Sequence, residues 1–124
     1  SIQKLLIRPG QEDMRCGNLS GGNQQKVVLA KWLQRDLKVL LVDEPTVGID
    51  VGAKAEIYDI LRGITAKGGI VIVVSSDLEE LLKISDRILV LVNGRVFADM
   101  KNENLTANDL LLASSGISRE GALA

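Results

Sequence analysis

The sequence predicts an α/β domain with a mainly parallel sheet, and three observations predict it. Short runs of β-branched and aliphatic residues, "VLLV" at 39–42 and "IVIVV" at 70–74, have the length and composition of buried strands. Between and after them the apolar residues recur at helical spacing, so strand and helix alternate along the chain. Finally, "RILVLV" and "RVFADM" flank Asn93-Gly94, the dipeptide that best signals a two-residue hairpin, which places a β-hairpin toward the C-terminal end.

Each element has a local reason. Residues 4–10, "KLLIRPG", form a brief extended piece stopped by Pro9-Gly10, and residues 11–18 read as polar loop. From 22 to about 35, Leu29, Trp32 and Leu33 make an apolar stripe opposite Lys31, Gln34 and Arg35, which is a helix. The strand at 39–42 follows. From 53 to about 67, Ile57, Ile60, Leu61 and Ile64 keep helical spacing, and Gly68-Gly69 supplies the flexible stop. After the strand at 70–74, a short helix begins at Asp77 and carries Leu78, Leu81 and Leu82; the hairpin comes next, and the tail from Leu105 gives one more helix and a frayed end. No repeat, linker or low-complexity stretch interrupts the chain, so residues 1–124 are expected to lie within one domain.

Composition narrows the function. The chain is 46% hydrophobic and 25% charged, an ordinary globular balance, with a net charge of -1 and only one Trp, one Tyr and one Phe. That leaves neither a basic footprint nor a base-stacking platform, which argues against nucleic acid as a partner. The single cysteine, Cys16, cannot close an internal disulfide, and the absence of histidine removes the commonest transition-metal ligand and the usual general base. A reduced, cytosolic compartment is expected. The longest apolar runs fall far short of the roughly 20 residues needed to cross a bilayer, so any spanning would belong to other subunits.

The chemistry concentrates at a few places. "VLLVDEP" ends an apolar strand in two carboxylates, and at the carboxyl end of a parallel strand such charges are often satisfied by a ligand. Asp43 could hold Mg²⁺ directly or through water, with Glu44 orienting or deprotonating an attacking water for phosphoryl transfer; equally, both could simply cap the loop before Pro45. In "LSGGNQQ", Ser20, Gly21 and Gly22 sit where a helix begins, with free N–H groups and no Cβ at two positions to hold a phosphate away. A serine N-cap with a glycine turn explains the same residues. In "PTVGID", Gly48 permits a turn and Asp50 is placed to cap the next helix. In "VVSSDLEE", Ser76 follows the second strand, where such folds place a residue that senses a γ-phosphate, and it also has the capping-box spacing to Glu79.

Taken together and in order, "LSGGNQQKV", "VLLVDEPTVGID" and "SDRILVLVNGR" resemble the C-terminal half of an ABC-transporter nucleotide-binding domain, over about residues 18–95. Asn23-Gln24-Gln25 followed by "GIDVGAKAEIY" is most similar to the second ATPase cassette of tandem importers for ribose-, galactose- and xylose-type sugars. The resemblance implies a partial P-loop NTPase domain. It makes residues 19–23 the signature, so that Ser20, Gly21, Gly22 and Asn23 meet nucleotide. It makes 39–43 the Walker B strand with Asp43 at Mg²⁺, Glu44 the catalytic glutamate, 48–50 the D-loop with Asp50, and Ser76 the switch position. It further implies ATP and Mg²⁺ as cofactors, a second cassette paired head to tail, transmembrane permease subunits and a sugar-binding protein as partners, and a place on the cytoplasmic face of the cell membrane. In such a pair the signature of one cassette closes over ATP held by the other, which gives the bare helix entrance a purpose.

Two departures from the family pattern stand out. The phosphate-cradling motif G-x-x-x-x-G-K-[ST] is missing; "GIDVGAKA" at 48–55 has the wrong spacing and lacks the hydroxyl. The phosphate loop, its strand and the glutamine loop are therefore expected upstream of Ser1, so that the chain reads as the C-terminal portion of one ATPase domain, inactive by itself. Ser76 stands where most of the family has histidine, and a short neutral side chain gives a γ-phosphate no charged donor. Besides an importer ATPase, two other classes fit the motifs: an ABC ATPase of DNA repair or chromosome organisation, and a regulatory cassette that binds ATP without cleaving it.

Overall fold

The structure, a computed structural model, describes residues 21–33, 35 and 37–118. The extended piece expected at 4–10, the loop at 11–18 and Ser20 lie outside the described residues. By its contacts the chain falls into two compact units, Ser1–Val74 and Ser75–Ala124.

The first unit holds α1 (Gly21–Leu33), β1 (Val39–Asp43), α2 (Val51–Ala66) and β2 (Ile70–Val74). β1 and β2 pair in parallel, from Val39 opposite Ile70 to Asp43 opposite Val74, with α2 as the crossover. α2 begins at Asp50, whose carboxylate accepts from the Ala53 N–H at 3.0 Å. It buries Ile57, Tyr58 and Leu61 on one face, and it stops where Gly68 turns to φ +88°. The expected apolar stripe and the expected glycine stop are both present. α1 packs on α2 and contributes Leu29, 1% exposed.

One expectation is corrected here. Both strands read as buried, yet their side chains alternate between two faces and only one face is covered. Leu40 is buried, whereas Val39, Leu41, Ile70, Ile72 and Val74 are all about half or more exposed. Parallel pairing puts these five residues on one face, which the described residues leave open.

The second unit holds α3 (Leu78–Ile84), β3 (Arg87–Val92), β4 (Arg95–Lys101) and α4 (Ala107–Ser114). β3 and β4 form the expected hairpin, with Asn93 at φ +51° and Gly94 at φ +74°, the paired positive angles of a type I′ turn. Val90 pairs with Ala98 and Leu91 with Val96, so Phe97 is an extra residue on β4 that bulges the strand. α4 lies against the hairpin and closes a small core of Ile88, Leu110 and Ala113. Its start is fixed by a reciprocal cap between Thr106 and Asp109. Asn102 donates from Nδ2 to the carbonyls of Leu82 and Ser85, each at 2.7 Å, and so finishes the end of α3. Among the described residues the strands make one parallel pair flanked by helices and one antiparallel hairpin, the α/β pattern with a C-terminal hairpin that was expected.

Candidate functional site

The loop from β1 to α2 gathers four of the residues singled out in the sequence. Asp43 ends the strand, exposed, opposite Val74. Glu44 extends the ladder by one bond, its N–H donating to the Val74 carbonyl at 2.8 Å, and then the backbone turns to φ +46°. A glutamate in the left-handed region is costly, by about 1 kcal/mol or more, and such angles persist where the surroundings impose them. The surroundings here are Pro45 and Thr46, both buried, which anchor the turn from below. The chain then rises through Gly48 at φ +70°, where a glycine meets no steric penalty, with the Ile49 N–H bonded to the Thr46 carbonyl at 3.2 Å. Asp50 closes the loop as the cap of α2, its carbonyl also accepting from Lys54 N–H at 2.9 Å.

This arrangement presents two adjacent carboxylates, Asp43 exposed and Glu44 half-buried, at the carboxyl end of a parallel strand. Among the described residues no three of Cys, Asp, Glu or His gather into a cage that would hold a metal unaided. The donors present fit Mg²⁺, which keeps several waters and takes one or two protein carboxylates alongside phosphate oxygens.

The glycines at the start of α1 are bare for different reasons. A Cβ on Gly21 would find only the Gly48 carbonyl, at an ordinary 3.8 Å, and Gly21 is exposed. Gly22 is buried, and a Cβ there would come within 2.7 Å of the Ala53 Cβ and 3.4 Å of Ile49. Gly22 is therefore small because α1 crosses the first turn of α2 closely, a packing reason that sequence reading did not supply. Asn23 is half-buried beside it. The structure thus brings the entrance of α1 against the loop carrying Gly48, Ile49 and Asp50. Trp32, expected on the apolar stripe, is 39% exposed, and its ring faces Lys31 and Arg35 at 5.9 and 5.7 Å. Stacked cations let the indole stay at the surface.

Ser76 belongs to the second unit and is exposed. Its expected capping box with Glu79 is corrected: the cap of α3 is Asp77, one residue later, which accepts from Glu80 N–H at 3.1 Å. The N3 partner is therefore Glu80, nearly fully buried at 3% exposure. Its carboxylate accepts from the Ser75 hydroxyl, whose oxygen in turn accepts from Asp77 N–H at 3.1 Å. Ser76 is held between two anchored neighbours.

Two interactions were missed. Besides Ser75 with Glu80, Lys26 is 4% exposed and forms an ion pair with Glu56. A signal for it exists: Gly22, Lys26 and Leu29 share one helical face, and a cation on the packing face of a helix demands a counterion.

Residues 2–47 match the sequence model of the ABC transporter family. The chain is 46% identical to the ribose import ATP-binding protein of Streptococcus agalactiae over 115 residues, 93% of this chain and 23% of that protein. It is 47% identical to the xylose import ATP-binding protein of Moorella thermoacetica over the same shares. It spans about a quarter of the length of these relatives. Its backbone superposes with a TM-score of 0.71 on a dimeric ATP-binding cassette bound to ADP and phosphate, at 26% identity, covering 84% of this chain and 45% of that one.

Proposed function

We propose that this chain, a relative of the ATPase cassettes of ABC transporters, serves in the ATP-binding subunit of a sugar importer and couples ATP hydrolysis to transport. The observation that carries the reading is the loop after β1. Asp43 and Glu44 stand side by side at the carboxyl end of a parallel strand, with the Glu44 backbone pinned to β2 by its bond to Val74. In this reading Asp43 holds Mg²⁺ by direct or water-bridged contact. Glu44 orients the attacking water and accepts its proton as the bond to the γ-phosphate breaks. Mg²⁺ supplies charge neutralisation at the phosphate oxygens. Gly21, with Ser20 and Asn23, meets the γ-phosphate of ATP held by a second cassette, and Asp50 lies on the same interface.

The ligand class follows from what the relatives do. Ribose, xylose and arabinose import are the activities in their names, so a pentose or related sugar is the proposed cargo, with permease subunits and a sugar-binding protein completing the system. Among the described residues no helix is long and apolar enough to cross a membrane. The proposed location, the cytoplasmic face of the membrane and docked on the permease, rests on the import role in the names of the relatives.

Ser76 favours a second reading, in which this cassette binds ATP without cleaving it. The test is Mg-ATP binding and hydrolysis by the full-length protein in its assembled transporter, wild type beside Glu44→Gln. The amide keeps shape but cannot take a proton, so binding should persist while hydrolysis slows. A wild-type rate with ATP on both sites supports the non-hydrolysing reading, and failure of the full-length protein to bind Mg-ATP at all contradicts both.

A further inference from the structure

Two contacts, one helical turn apart, tie the first half of α1 to the start of α2. At the first, Gly22 lies so close to Ala53 and Ile49 that no side chain fits between them. At the second, the Lys26 ammonium pairs with the Glu56 carboxylate; the lysine side chain is 5% exposed and the glutamate 41%. Gly22 and Lys26 are four residues apart on α1, Ala53 and Glu56 three apart on α2, so both contacts fall on facing stripes. Packing alone would be served by an aliphatic residue at position 26, as it is by Leu29 in the next turn. An ammonium there carries a desolvation penalty, and what it adds is direction: the pair forms in only one register of the two helices.

We propose that Lys26 and Glu56 are positioning residues that lock the entrance of α1 and the turn at 48–50 into one moving body. The turn is already fastened to α2 at its far side, through Ala53 N–H to the Asp50 carboxylate and Lys54 N–H to the Asp50 carbonyl. The Gly22–Ala53 contact and the ion pair fasten α1 to the same two turns of α2. A displacement of α1 at its glycines is then delivered to Asp50 with little loss, because close-packed interfaces shift as units and do not deform gradually. The proposal rests on the reading that both segments face nucleotide, which is what makes the lock useful: whichever segment meets the nucleotide first carries the other with it.

The test uses the full-length protein and three variants: Lys26→Met, Glu56→Gln and the exchanged pair Lys26→Glu with Glu56→Lys. Hydrogen exchange and ATPase kinetics are measured on each. Either single variant should raise exchange in the first two turns of α1 and also across 49–54, and should lower kcat by about tenfold with KM for ATP nearly unchanged. The exchanged pair should return both toward wild type. Exchange that rises in α1 alone, or an exchanged pair no better than the singles, overturns the lock. Should Lys26→Met fail to fold, Glu56→Gln carries the test, since Glu56 is partly solvated. A wild type without ATPase activity contradicts the functional reading instead, while the exchange measurement still decides the lock.

Discussion

The two glycines that open α1 show how adjacent residues of one kind can answer to different demands. Gly21 is exposed at the first position of the helix, so an aspartate there suits the helix dipole and leaves the packing alone. Gly22 is buried against Ala53, so even alanine overpacks the crossing. Gly22→Ala should therefore lose about 1–3 kcal/mol of stability, read as a lowered urea midpoint, while Gly21→Ala should lose nothing measurable. Equal midpoints would contradict the crossing. The sequence showed that this entrance is bare and suggested one cause; it could not show the second, because Ala53 is 31 residues downstream and contact across that distance is a property of the fold. Glu44 is a similar case. Its position at a strand end was legible, but its left-handed backbone was not, since nothing in "VDEPTVG" distinguishes it from a cap.

At the scale of elements, the sequence was most informative where the signal is local. The hairpin, its Asn93-Gly94 turn, the Asp50 cap and the glycine stop of α2 each depend on residues a few positions apart, and each formed as expected. The α3 cap shifted by one residue because an aspartate competes with a serine for the same N–H groups, and capping strength does not fix register between neighbours. Two outcomes test the elements. Ile57 is fully buried in α2, so Ile57→Ala should cost about 2–5 kcal/mol, measured by denaturant unfolding; a loss below 1 kcal/mol would mean that α2 is not the core helix of its unit. In the hairpin, Arg87 reaches across to Asp99 with two N–H donors, a bidentate pair on the exposed face. The hydrogen bond from Arg87 holds the Asp99 carboxyl below its usual range. A depressed acid contributes stability above its unfolded pKa of about 4 and loses it as the pH falls through the lowered folded value. The effect is small because both side chains are well exposed and salt screens them. Asp99→Asn should flatten this acid-side loss in low salt, and an unchanged pH profile would remove the pair from the account of stability.

At the scale of the whole molecule, each unit leaves apolar strand residues uncovered: Val39, Leu41, Ile70, Ile72 and Val74 in one, and Leu89, Leu91 and Val96 beside the Arg87–Asp99 pair in the other. Exposed faces and open strand edges of this kind invite pairing with other chains, so the 124-residue chain on its own should self-associate, and a clean monomer by light scattering at high concentration would contradict this. The same chain should bind Mg-ATP weakly, because it contains no G-x-x-x-x-G-K-[ST] motif to supply the main phosphate contacts; micromolar affinity by calorimetry would refute that. The central claim is that the entrance of α1 is half of a nucleotide site completed by another cassette, while the switch position contributes little. On the proposed function, Gly21→Asp puts a carboxylate where the γ-phosphate held by a second cassette would approach, and like charges about 4 Å apart repel by roughly 4 kcal/mol at an effective dielectric of about 20. That corresponds to a rate loss on the order of a thousandfold. Ser76→Ala removes an exposed hydroxyl next to a helix that Asp77 already caps. The most direct measurement is sugar-stimulated ATPase activity of the assembled transporter carrying each substitution. Activity abolished by Gly21→Asp and largely kept by Ser76→Ala is the predicted result; equal losses, or the reverse order, would contradict it and give Ser76 a direct role at the γ-phosphate.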